Sequence, residues 1–169
     1  QQATDEIGLL PRFSGTIVHD AWPTYFKYHR LTHALCNAHH LLDLTAIAEN
    51  EQQQWAVLMM SCLLEAKQLV AEAQQAGETA LPADYLARIQ QLYEAIVSLG
   101  LAENRLPDTH PPPRKRGRPK KTKARNLVER FHKHQAAILR FIHDFKVPFD
   151  NNLAERDIRY RSYNAESGP

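Results

Sequence analysis

Gly15-Thr16-Ile17-Val18-His19-Asp20-Ala21-Trp22 is a short β-branched, apolar run that ends on a carboxylate. Thr, Ile and Val are stiff at χ1 and favour extended backbone, so the run reads as a buried strand. Such a strand delivers Asp20 to the edge of a sheet, where a carboxylate can bind a metal. His19 alternates to the opposite side of the strand and is not a ligand. Leu31-Thr32-His33-Ala34-Leu35-Cys36 reads as a second short strand, which runs through Asn37-Ala38-His39-His40 into a helix.

Further along, apolar residues recur at helical spacing. Trp55, Leu58, Met59, Cys62, Leu63, Ala66, Leu69, Val70 and Ala73 make one stripe on a helix that ends near Gly77. Tyr85, Ile89, Leu92, Ile96 and Leu99 supply a facing stripe on a helix that ends at Gly100, so an antiparallel hairpin is the simplest arrangement. A third helix, about Lys123 to Phe145, buries Leu127, Val128, Phe131, Ile138, Ile142 and Phe145. The stripes are read as core, with a dimerisation coiled coil, and hence a homo-oligomer, as the alternative. The fold class is α/β, dominated by helices.

Near the C-terminus stands Val147-Pro148-Phe149-Asp150-Asn151-Asn152-Leu153-Ala154-Glu155-Arg156-Asp157-Ile158-Arg159. Pro148 and the short polar side chains of Asp150, Asn151 and Asn152 favour a turn, and a helix starts near Leu153. Helical spacing puts Glu155, Arg156 and Arg159 on one face, a metal-binding carboxylate beside cations able to hold phosphate oxygens. The same residues also fit a capping box between Asn152 and Glu155 and an ordinary ion pair between Glu155 and Arg159.

Taken in order, "GTIVHDAWPTYFKY", "HALCNAHHLLDLTAI", "ARNLVERF" and "VPFDNNLAERDIR" resemble the transposases of the insertion-sequence-66 family over about residues 6 to 160. The resemblance implies an RNase H-like catalytic fold of the DDE type, in which three acids hold two Mg²⁺ (or Mn²⁺) ions and cut and join DNA. Asp20 matches the second acid and Glu155 the third. Two metal ions roughly 3.5–4 Å apart activate a nucleophile on one side of a phosphate and stabilise the leaving oxygen on the other, and hard cations prefer carboxylate oxygens.

The pattern departs from the family in three places. Only nineteen residues precede Asp20, so the strand with the first acid is missing; with Gln1 and no initiator Met, the chain reads as a C-terminal fragment, inactive on its own. The tail over 161–169 reads as unrelated sequence. The helix after His40 carries Leu42 and Asp43 where relatives have a basic and an acidic residue, and loss of the basic one weakens a DNA or metal-shell contact. The expected divisions are a partial RNase H-like core over 1–50, a helical hairpin inserted over 51–103, a basic Pro-rich linker over 104–122, and the long helix with the catalytic-Glu helix over 123–160.

The net charge of +2 hides a segregation. Arg114, Lys115, Arg116, Arg118, Lys120, Lys121, Lys123 and Arg125 form one run without an acid, which leaves the rest of the chain at −6. The run follows Pro111-Pro112-Pro113 and contains Gly117 and Pro119, so it reads as extended linker. Its centre, Arg116-Gly117-Arg118-Pro119, resembles the core of an AT-hook, whose arginines enter the narrow minor groove of A·T-rich DNA. Nonspecific phosphate contacts and a purely structural tether are the other readings. Double-stranded DNA, as element ends and target, is the expected partner through this run and through Arg156 and Arg159.

Cys36, His39 and His40 supply only part of a four-ligand zinc site, and packing is the preferred reading. Two cysteines give no disulfide framework. No apolar run is long enough to cross a bilayer and no signal pattern is present, so the cytoplasm is expected. No phosphate-binding glycine loop or nucleophile triad is visible. The function expected is that of a DDE transposase fragment that binds DNA and, in the intact protein, cleaves and transfers strands. A noncatalytic DNA-binding remnant and a helical protein-interaction scaffold are the alternatives.

Overall fold

The computed structural model describes residues 14–105 and 121–151. The β-branched run forms β1 (Thr16–His19), which pairs in parallel with β2 (Thr32–Leu35), Val18 opposite Ala34 and His19 opposite Leu35. Parallel neighbours need a crossover of about a dozen residues or more. Residues 20–31 provide it, with a 3-10 turn at Tyr25–Lys27. The segments read as strands are thus adjacent in one small sheet, and both end at the same side, β1 into Asp20 and β2 into Cys36.

Helix α1 (Asn37–Glu51) follows β2 directly and stops at Gln52, whose left-handed φ of 50° reverses the chain into α2 (Gln54–Gln75). Helix α3 is Ala83–Glu103. Trp55 lies under Gly100, and the Gln53 and Asn104 side chains exchange hydrogen bonds of 3.0 and 2.7 Å, so the start of α2 meets the end of α3. Leu69 and Tyr85 share a groove at the other end, which makes the pair the antiparallel hairpin expected from the stripes.

Its phase differs from the expectation. Helix α3 runs past Gly100 to Glu103, and the buried face is Ile89, Tyr93, Ile96, Val97 and Gly100, leaving Tyr85, Leu92 and Leu99 at 40, 47 and 36% exposure. Leu58 on α2 is also exposed. Two features that a hydrophobicity pattern underweights set this rotation. Tyr93 can be buried because its hydroxyl donates to the Phe131 carbonyl at 3.0 Å. Gly100 is a contact point and not a stop: a Cβ there would lie 2.7 Å from Val128 Cγ2 and 2.8 Å from Trp55 Cδ2.

The third helix is also corrected. It divides into α4 (Lys123–Lys133), α5 (Gln135–Ile138) and α6 (Arg140–His143). His134, at the first break, stacks on Phe26 with ring centroids 4.4 Å apart. The Ile138 carbonyl, at the second, accepts a hydrogen bond from the Asn37 side chain. Phe145, expected in the core, is half-buried against it. One continuous core joins β2 to all of α1–α6, and Phe131 sits at its centre against His40, Trp55 and Tyr93. The hairpin therefore shares its core with the sheet and α4.

Replacing glycine by alanine inside a helix ordinarily stabilises by ~1 kcal/mol. At Gly100 the clash with Trp55 and Val128 should outweigh that gain, since overpacking costs about 1–3 kcal/mol. Gly100→Ala is expected to lower the urea midpoint of unfolding; an unchanged or raised midpoint would contradict this packing.

Candidate functional site

In open α/β sheets ligands bind in the crevice beyond the carboxyl ends of the strands. Here that position holds a cleft of about 440 Å³, lined by Ile17, His19, Asp20, Tyr25, Cys36 and Asn151 among others. Asp20 is exposed at its mouth, directly after β1, and the next residue, Ala21, has a left-handed φ of 60° that turns the chain away from the strand. The segment Phe149-Asp150-Asn151 reaches the same cleft through Asn151, although it is far from Asp20 in sequence.

The connection between them is made by the Cys-Asn-Ala-His-His stretch. The Asn37 backbone N–H donates to the Phe149 carbonyl at 3.0 Å, and the Asn151 N–H donates to Cys36 Sγ at 3.3 Å. Val147 and Phe149 are buried, with Phe149 edge-on to Phe141 at 5.0 Å. Outside, Lys67 lies 3.7 Å from the Asp150 carboxylate and over the Phe149 ring. The turn is thus held on both its backbone and its side chains.

Asn37 is 1% exposed and has to satisfy its own polar groups. Its Nδ2 donates to the Ile138 carbonyl at 3.1 Å, so its Oδ1 must accept, and His40 Nδ1–H, at 3.3 Å, is the donor. Burial first, then the Arg130 charge, pushes the His40 pKa down to about 3, which keeps the ring neutral for this bond. His19 is buried among Tyr25, Phe26 and His33, with Nε2 3.1 Å from His33 Nδ1. Burial first and then His33 lower its pKa to about 4. Its Nδ1 has no partner among the described residues, which is cheapest if that atom is the unprotonated one and Nε2–H donates to His33.

Cys36 and His40 are therefore engaged in holding the turn and the helices, while His39 is exposed. Among the described residues no group of three His, Cys, Asp or Glu side chains gathers as a metal site. Glu155, Arg156 and Arg159 lie outside the described residues. At the cleft itself the polar lining residues are His19, Asp20, Tyr25, Cys36 and Asn151, of which Asp20 and Asn151 can offer the hard oxygens that Mg²⁺ or Mn²⁺ prefers.

The basic run is only partly described. Arg114, Lys115, Arg116, Arg118 and Lys120 fall outside the described residues. Lys121 and Arg125 both pair with Glu129 and hold its carboxyl below the usual range. Arg125 Nη1 also donates to the Asn104 carbonyl at 3.0 Å, capping the end of α3. Lys123 is exposed. Asp43 forms a 2.7 Å ion pair with Arg130, which joins α1 to α4, and Leu42 projects into solvent. The residues that sequence reasoning passed over are Asn37 and Asn151; a polar residue at the first position of a helix that follows a buried strand was the available signal for the former.

Both buried histidines have folded-state pKa values below the unfolded value of ~6.5, so between pH 6.5 and 4 the unfolded chain binds more protons than the folded one. Stability should therefore fall as the pH drops through that window, before most carboxylates titrate. Urea unfolding at pH 7, 6, 5 and 4 should show a declining midpoint, with a smaller decline in His40→Gln. A midpoint independent of pH over this range would contradict buried neutral imidazoles.

The Transposase IS66 family model matches residues 1–163. No curated protein matches the chain, and no solved structure does. The match takes in the strand that ends on Asp20, the clasp at Cys36 and Asn37, and the turn that they hold, and on it the chain belongs to the IS66 family of transposases.

Proposed function

We propose that this chain carries the second and third acids of a DDE transposase of the RNase H-like type, Asp20 and Glu155, and takes part in metal-dependent cleavage and transfer of double-stranded DNA at element ends and target. The observation that carries the reading is the meeting of Asp20 and Asn151 in one cleft at the carboxyl ends of a parallel strand pair. Glu155 follows Asn151 by four residues. With the turn fixed at Cys36 and Asn37, a helix starting near Leu153 would leave from the mouth of that cleft.

Bound divalent cations would supply activation of a water or 3′-hydroxyl and charge neutralisation at the phosphate. The chain's own part is positional. Asp20 offers its carboxylate from the rigid end of β1, the Asn37 clasp holds the second segment in register with it, and Arg156 and Arg159 steady phosphate oxygens. The run from Arg114 to Arg125 tracks the duplex, with Arg116 and Arg118 giving A·T preference in the minor groove. Such a protein works in the cytoplasm, where the element and its target lie, and as a homo-oligomer it would hold two ends together. No helix among the described residues is long and apolar enough to cross a membrane.

Iron-directed backbone cleavage tests the site without requiring turnover. With Fe²⁺, ascorbate and peroxide, scission is expected near Asp20 and near Glu155, suppressed by excess Mg²⁺ and lost in Asp20→Asn and in Glu155→Gln. Cleavage that survives both substitutions, or that falls elsewhere, would remove the assignment.

A further inference from the structure

A second cleft, of about 650 Å³, lies between α3 and the α4–α6 segment and shares no lining residue with the one at Asp20. Lys133, Arg140, His143, Gln90 and Gln135 supply its polar groups. Every one of them carries an N–H donor, and no carboxylate among the described residues lines it. Gln135 is held from the rim by Glu94 at 3.1 Å, and Gln90 Nε2 lies 3.2 Å from His143 Nε2. Arg140 Nε is buried without a hydrogen-bond partner among the described residues. A buried guanidinium N–H left unpaired costs about 1–3 kcal/mol or more, and here it stands beside two other cationic or protonatable groups. Burial and the Arg140 charge lower the His143 pKa.

The surroundings point to the kind of anion. Between Lys121 and Lys146 seven lysines and arginines face two acids, Glu129 and Asp144. Across α2 and α3, Gln54–Glu103, the balance is reversed, with six acids to two bases. A polyanion is therefore drawn to the α4–α6 side and repelled from the outer face of the hairpin. With Gln135 occupied by Glu94 at the rim, Lys133 and the Arg140 guanidinium are left in a lining that, among the described residues, holds no acid, and such cations suit the tetrahedral oxygens of a phosphate, which arginine can bind bidentately.

We infer that the Lys133–Arg140–His143 cleft binds backbone phosphates of double-stranded DNA, a contact separate from the Asp20 cleft and from the basic linker. The choice of DNA as the source of the phosphate rests on the transposase reading above; the anion chemistry stands on the cleft itself.

The test is fluorescence anisotropy of a labelled duplex with the full chain across a salt series, for the parent, Arg140→Gln and Lys133→Gln, alongside NMR of the His143 ring on addition of duplex or of inorganic phosphate. Each phosphate contact contributes ~0.9 to the slope of log affinity against log salt. Both variants should bind severalfold more weakly, each with a slope smaller by about 0.9, and duplex should shift the His143 signals. Lys133 is exposed, so its variant reports even if Arg140→Gln perturbs folding. Unchanged affinity and slope in both variants, with His143 unmoved, would overturn the inference while leaving the transposase reading intact. His143 signals that respond saturably to inorganic phosphate in a chain that binds no duplex would overturn DNA as the ligand and count against the transposase reading, with the anion chemistry alone retained.

Discussion

Asn37 is the constraint on which the arrangement depends. A primary amide in a core of leucines, isoleucines and aromatics has two donors and an acceptor, and leaving any of them unpaired costs as much as several well-packed methyl groups gain. The side chain bonds His40, one turn along α1, through Oδ1 and the Ile138 carbonyl, at the end of α5, through Nδ2, while the Asn37 backbone N–H binds the Phe149 carbonyl. Each contact has a structural consequence. Use of the Ile138 carbonyl accompanies the end of α5 and so the irregular path of 134–147. Use of the Phe149 carbonyl places the segment Phe149-Asp150-Asn151 at the end of β2. An apolar residue at position 37 would fill the volume and keep the backbone bond to Phe149, but would leave the Ile138 carbonyl without its donor and the His40 ring N–H without its acceptor.

The cleft beside Asp20 is a result of this polar clasp and of the parallel sheet together. Parallel pairing sets the carboxyl ends of β1 and β2 side by side, which brings Asp20 close to Cys36; the clasp at Cys36 and Asn37 then brings in Asn151. Neither device alone unites the two segments. The ion pairs play a different part. Arg130 with Asp43 and Lys67 with Asp150 are partly exposed and individually worth little; the first ties α1 to α4, and the second ties α2 to the segment that reaches the cleft.

Local patterns made the strands legible, since three β-branched residues ending on Asp20 leave few other readings, and they made the hairpin legible through its long stripes. What they did not convey is anything that depends on partners far away in the chain. The rotation of α3 follows from a tyrosine that finds a carbonyl on α4 and a glycine under a tryptophan, and a stripe counted from Tyr85 cannot see either. The breaks at His134 and Leu139 follow from Phe26 and Asn37, more than a hundred residues upstream of them in each case. At the candidate site Asp20 was read from its strand, whereas Cys36 and His40 drew attention only as part of an incomplete zinc set, and Asn37, between them, was passed over. The Lys133, Arg140 and His143 cleft was invisible because its members come from two helices, α4 and α6, and resemble ordinary solvated charges.

The claim that matters most is that the clasp places Asp20 and Glu155 around one metal centre. Anomalous diffraction from crystals of the chain grown with Mn²⁺ measures this directly. The account predicts a manganese peak in contact with the Asp20 carboxylate and with Glu155. Carboxylates more than about 10 Å apart, too far to share metals spaced ~4 Å, or a peak elsewhere with both acids unliganded, would contradict it.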